Sequence, residues 1–188
     1  MIDLPAALAA FANYRQFILW TTELRNGKLI KLPIDYRTAK KASVDDPNSW
    51  TDATTAINTA KLYGENYGVG FVFTKDDPFF FVDIYKCRVD EYSPWSDTAN
   101  AVLSYFPGAA VEVSQSGKGL HIFGMGNAPD HSCKNIPLGL EFYTEGRFVA
   151  LTGRDIIGDA GTTHNEWLPN FVTNYVQPKI ALQPEQWT

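Results

Sequence analysis

Apolar and polar residues alternate with a period of two over many short runs of this chain, and with a helical period over only a few. Residues 16–22, 28–34, 67–73, 79–85, 110–113, 119–124, 140–143 and 147–152 read as strands, since their aromatic and β-branched residues suit a pleated, half-buried surface. Asn26-Gly27 predicts a tight hairpin between the first two runs, because both residues tolerate positive φ. Thr144-Glu145-Gly146 predicts a second hairpin that would pair 140–143 with 147–152. Near the start, Leu4, Leu8 and Phe11 share a helical face, with Asp3 as the predicted N-cap and Pro5 in the first turn. Thr51 is predicted to cap a helix through Tyr63, with Ala53, Ala56, Ile57 and Ala60 on its apolar side and Gly64 after its end. Two further helices are expected over 95–105 and 166–175, and an irregular loop over 35–50. Strands interspersed with short helices predict an α+β fold around a mixed or antiparallel sheet.

Composition narrows the class. With 188 residues, 45% hydrophobic and 14% aromatic, the chain can bury a sizeable core, which argues against disorder. No apolar run approaches the roughly 20 residues of a membrane helix, so no membrane partner is expected. Two cysteines, Cys87 and Cys133, make no disulfide framework, and a reducing cytoplasm is the expected setting. A formal charge of -5 argues against coating nucleic acid by bulk charge. Arg25, Lys28, Lys31, Arg37, Lys40 and Lys41 nevertheless fall close together, as either a solvated hairpin or a phosphate-tracking patch.

The chemistry concentrates in three places. In Glu112-Val-Ser114-Gln-Ser116-Gly117-Lys118-Gly119-Leu-His121 a strand runs into a serine- and glycine-rich turn. There Ser114, Ser116, Lys118 and His121 supply donors suited to phosphate oxygens. Asp83 ends the apolar run Phe79-Phe-Phe-Val82, either as a strand terminator or as a metal ligand, and alternation puts Tyr85 on its face. Glu141 lies in an apolar strand where an unpaired carboxylate is costly, so a metal or Arg147 must neutralise it. Arg147 could instead hold a triphosphate through its planar fork. Other constellations are weaker: His131 and Cys133 with Cys87 or His164 lack zinc-ligand spacing, Ser116 lacks the Gly-x-Ser-x-Gly context of a hydrolase, and Gly117-Lys118 is not a P-loop.

The order Asp83, Ser116-Gly-Lys-Gly-Leu-His121, Glu141-Phe-Tyr, Arg147-Phe and Thr152-Gly153 resembles the primase-polymerase branch of the archaeo-eukaryotic primase superfamily, as found in phage and plasmid replication. Lys31-Leu-Pro33, Asp46-Pro47 with Trp50, and Gly68-Val-Gly70-Phe-Val-Phe73 with Asp77-Pro78 extend the resemblance over roughly 20–153. It implies an RNA-recognition-like sheet core and an N-terminal α/β lobe forming a cleft, all within 1–155, with 156–188 a helical extension or linker to a downstream region. It implies template-directed nucleotidyl transfer from dNTP or NTP on a DNA template or primer, with Mg2+ or Mn2+, in the cytoplasm of a host cell. A helicase region or other replication proteins would be partners. Asp83 and Glu141 would be catalytic metal ligands. His121 would act with Ser114, Ser116, Lys118 and Arg147 on the nucleotide's phosphates, while Lys31, Lys40 and Lys41 would track template phosphates. The family's first motif is acid-x-acid, whereas this chain has Asp83-Ile84-Tyr85; a neutral phenol at Tyr85 is a weaker anchor for a hard cation. Two expectations follow: an active enzyme, or a nucleotide- or DNA-binding module of the same fold.

Overall fold

A computed structural model describes residues 3–178. Within them the chain forms strands β1 (Phe17–Arg25), β2 (Lys28–Ile34), β3 (Tyr67–Phe73), β4 (Phe79–Ile84), β5 (Ala110–Val113), β6 (Leu120–Met125), β7 (Lys134–Asn135), β8 (Leu140–Tyr143) and β9 (Arg147–Ala150). The helices are α1 (Ala53–Tyr63), α2 (Asp97–Leu103) and α3 (Leu168–Tyr175). The strands make two sheets, a four-stranded one of order β2-β1-β3-β9 and a five-stranded one of order β5-β6-β4-β8-β7. Every pairing between named strands is antiparallel, so the fold is α+β with antiparallel sheets. Asn26 and Gly27 both have positive φ, 50° and 75°, as the β1–β2 hairpin requires.

Alternation along β4 divides the interior into two cores. Phe79 and Phe81, with Phe123 of β6 and Tyr143 of β8, join Phe71 and Phe73 of β3, Phe17 of β1 and Phe11 in one core spanning both sheets. Stacked and edge-on ring pairs tie it together, Phe11 lying 4.2 Å from Phe71 and 4.7 Å from Phe79 between centroids. Phe80, Val82 and Ile84 face the other way, onto Val102 of α2 and Leu168, Phe171 and Val172 of α3. Residues 156–178, read from sequence as an extension or linker, thus supply Ala160 to one core and α3 to the other, while 179–188 lie outside the described residues. Among the described residues no helix is long and apolar enough to cross a membrane.

Three expectations about local structure are corrected. The opening segment is a 3-10 helix, Ala6–Asn13, whose N-cap is Pro5 with no side-chain cap, so Asp3 does not cap it. α1 is capped by Asp52, whose carboxylate accepts from the Thr55 N–H at 2.8 Å and the Thr55 hydroxyl at 2.9 Å. Thr51 is held away from that position by reciprocal backbone bonds to Phe17, at 2.8 and 3.0 Å. Most consequentially, β8 and β9 do not form a hairpin: β8 pairs with β4 and β7, and β9 pairs with β3. β3 admits β9 because Gly70 opposes Ala150 there; a Cβ on Gly70 would stand 2.7 Å from the Val149 carbonyl.

Candidate active site between the two sheets

The strand register assembles the site. Across the second sheet Glu112, His121, Asp83, Glu141 and Lys134 are successive cross-strand partners, one from each of β5, β6, β4, β8 and β7. Two residues along each strand lies the apolar row Ala110, Phe123, Phe81 and Tyr143. Since side chains repeat on one face every second residue, both rows face the first sheet, and the polar row continues where the shared core ends. Beyond Asp83, Tyr85 follows on that face between Gly119 and Gly139, its N–H donating to the Gly139 carbonyl at 2.9 Å. A Cβ on Gly119 would stand 2.7 Å from the Ile84 carbonyl, so glycine is what lets the turn approach β4.

The first sheet supplies the opposing wall. Two hollows of about 480 and 440 Å³ share Leu29 and Lys31 of β2 with Asp83 and His121; Tyr85, Ser114 and Ser116 line the first, Arg147 and Phe148 the second. The turn is braced internally: Ser114 Oγ accepts from the Gly119 N–H at 3.1 Å and bonds Ser116 Oγ at 3.1 Å. Ser116 Oγ also accepts from the Lys118 N–H at 3.2 Å, while the Lys118 side chain is exposed and lines neither hollow. Lys40 and Lys41, beyond β2, are exposed and likewise line neither. A larger hollow, about 770 Å³, lies between β7 and the end of α3 and holds no acid or imidazole.

The charged groups are unequally satisfied. Asp83 is half-buried and makes no side-chain hydrogen bond or ion pair among the described residues. Burial pushes its carboxyl above the ordinary range; the neighbouring His121 opposes that and the Glu141 charge adds to it. Desolvation pulls the Lys31 ammonium down, against the attraction of Asp83, with Nζ 5.6 Å from the Trp20 ring centroid. Glu141, by contrast, is crowded with partners: Oε2 accepts from Tyr143 Oη at 2.9 Å and Arg147 Nη2 at 3.2 Å, and Oε1 lies 3.1 Å from Lys134 Nζ. Burial and the bond to Glu141 hold the Tyr143 phenol well above its usual range. Arg147 stacks over Tyr143 at 5.0 Å, and its Nε is buried without a partner among the described residues. Glu112 is fully buried; Oε1 is 2.9 Å from His121 Nδ1, and its carboxylate accepts from the Thr152 and Gly153 N–H groups at 3.1 and 2.7 Å.

Sequence reasoning singled out Asp83, Tyr85, Ser114, Ser116, His121, Glu141, Arg147 and Lys31, and the fold brings these to one place. It missed Glu112 and Lys134 as members of the row. For Glu112 the signal was the one that picked out Glu141, an acid at a core-facing position of a short apolar strand. The zinc alternative finds no support: Cys87 points Sγ at the Ile84 carbonyl, and His164 packs against Phe80 and Phe106. Among the described residues no three His, Cys, Asp or Glu side chains are grouped to hold a metal ion. Asp83 alone, an unpaired oxygen donor in a partly desolvated place, suits a hard cation; Glu141 as placed already has both oxygens engaged by cations.

No protein-family model matches the chain. It aligns at 34% identity over 157 residues, 81% of its length, with the DNA primase-polymerase of Nitratiruptor phage NrS-1. The chain is thus similar in sequence to part of a phage primase-polymerase. It spans about a fifth of that relative's length, 21%.

Proposed function

We propose that this chain is a nucleotidyltransferase domain of a primase-polymerase that extends DNA from (d)NTP in phage, prophage or plasmid replication. The observation that carries the reading is the convergence of Asp83 and His121 from one sheet with Lys31 and Arg147 from the other on adjoining hollows, with Glu141 beside Asp83 in the row and paired to Arg147. In the cleft between the sheets, Arg147 holds the triphosphate, since its buried Nε has a donor to spare and an anion supplies the missing acceptor. His121 and the Ser114 and Ser116 hydroxyls orient the same phosphates, while Lys118, exposed on the turn outside both hollows, adds positive charge at their approach. Asp83 would hold Mg2+ or Mn2+, joined by Glu141 when Arg147 turns from it to the nucleotide. Such an ion supplies charge neutralisation of the polyphosphate and activation of a 3′-hydroxyl. Lys31, and beyond it Lys40 and Lys41, track the phosphates of a DNA template or primer. A helicase region or other replication proteins in the cytoplasm of the host are the natural partners.

A second reading has its own observation. Tyr85 stands where the resemblance requires a second acid, and no three-acid group is present among the described residues, which favours a module that binds nucleotide or DNA but catalyses little. One assay separates the two: template-dependent incorporation of labelled dNTP with Mn2+, comparing wild type, Asp83→Ala, Arg147→Ala and Tyr85→Asp. The enzyme reading expects Asp83→Ala to lose at least about a hundredfold, the scale of several kcal/mol of charge stabilisation. Equal incorporation by wild type, Asp83→Ala and Arg147→Ala would end the site assignment. A silent wild type revived by Tyr85→Asp would establish the binding module.

A further inference from the structure

We propose that Glu112 is a positioning residue: it clamps the His121 ring with Nδ1–H turned back into the protein, so that Nε2 is the ring atom presented to the hollow beside Asp83. Glu112 and His121 are cross-strand partners on β5 and β6, and both side chains are almost wholly buried, at 0% and 4% exposure. A buried carboxylate needs donors on both oxygens. Here Oε2 accepts from the Gly153 N–H at 2.7 Å, the Thr152 N–H lies 3.1 Å from both oxygens, and Oε1 faces His121 Nδ1 at 2.9 Å. With both oxygens accepting N–H bonds, the ring atom that Oε1 faces must carry a hydrogen. The donors Thr152 and Gly153 leave β9 at the edge of the first sheet and are fixed in turn: the Thr152 hydroxyl donates to the Val113 carbonyl at 2.7 Å, and the Val113 N–H donates to the Arg154 carbonyl at 2.9 Å. The ring's orientation on the second sheet is therefore dictated by a loop of the first. Edge-on contact with Phe81, 5.3 Å between centroids, holds the other dimension of the ring.

A purely structural Glu112, one that only ties the loop to β5, would place no demand on the imidazole proton. Glu112→Gln distinguishes the two, because the amide is the same shape with only one acceptor. The Thr152 and Gly153 N–H groups claim its oxygen, its NH2 then faces Nδ1, and the ring proton must move to Nε2. Long-range 1H–15N spectra of the neutral imidazoles report this directly, with only three histidines in the chain and His121 assigned by its loss in His121→Asn. The expected result is a protonated Nδ1 in wild type and a protonated Nε2 in Glu112→Gln. A wild type protonated at Nε2, or a variant with an unmoved proton, overturns the proposal; the wild-type spectrum alone suffices if the variant does not fold. The ligand role rests on the nucleotide reading of the pocket, and inorganic pyrophosphate with Mg2+ probes it. Nε2 should shift on titration and Nδ1 should stay. A shift at Nδ1 alone overturns the clamp. No shift at either nitrogen overturns the polyphosphate reading, and with it the role of Nε2, while the proton positions still decide what Glu112 does to the ring.

Discussion

The Asp83 carboxylate is partly desolvated, lies beside a second acid and has no hydrogen bond of its own among the described residues, so its ionised form works against folding. Asp83→Asn removes that penalty. In EDTA at neutral pH the variant should therefore melt above wild type by differential scanning fluorimetry, while losing nucleotide incorporation. The sign follows from the raised carboxyl: the gain is full where wild-type Asp83 is ionised and disappears below the ordinary carboxylate range, where both folded and unfolded chains are protonated. Mn2+ at 100 times its Kd should stabilise wild type by about 2.7 kcal/mol and leave Asp83→Asn unmoved. His164 shows the opposite linkage. It is buried with Nε2 unpartnered among the described residues, and burial pulls its imidazole below the ordinary value, so protonation favours the unfolded chain. Its contribution should be complete above about pH 6.5 and fall away as the pH drops below that. Urea titrations across that window should show the slope in wild type and a flatter one in His164→Phe.

At the scale of elements, the strands that alternate cleanly were legible. β2, β3, β5 and β8 begin and end where the pattern put them: β3, β5 and β8 are buried along most of their length, and β2 reaches the core through Leu32 and Ile34. The partner of a strand was not legible. Thr144-Glu145-Gly146 has the length and glycine of a hairpin turn, and Gly146 does take positive φ of 64°, yet the chain uses that turn to change sheets. Nothing local to the turn announces that Gly70, seventy-odd positions upstream, leaves room for β9 (about 80 residues of separation, a non-local pairing). Glu112 carried the same local signal as Glu141, but its partners were not legible, since its donors Thr152 and Gly153 lie about 40 residues on and signify only when the loop folds over β5. The Asp52 cap was missed for a local one, as Thr51 and Asp52 are both good caps and only the pairing of Thr51 with Phe17 decides between them. Asp52→Ala should cost about 1 kcal/mol of stability by urea denaturation, and Thr51→Val much less of the capping term.

Taken whole, the molecule is stitched across its layers by one stretch of chain. β8 passes to β9 through three residues, and beyond β9 the chain returns to the second sheet, where Ile157 and Val111 exchange backbone bonds at 2.9 and 3.0 Å. Gly158 completes the return at φ 82°, and a Cβ there would stand 1.9 Å from the Ala109 carbonyl. Gly158→Ala should therefore destabilise the protein by at least about 2 kcal/mol, since both strain and backbone clash oppose it, with a lowered urea midpoint as the measure. The sheets being fastened on either side of the polar row, the spacing of the strands that carry imidazole, acids and guanidinium is set during folding, and only side chains such as that of Arg147 have to turn. An incoming polyanion then meets a vessel of fixed bore: little chain entropy remains to be lost on association, and the heat-capacity change should be as small as rigid docking allows.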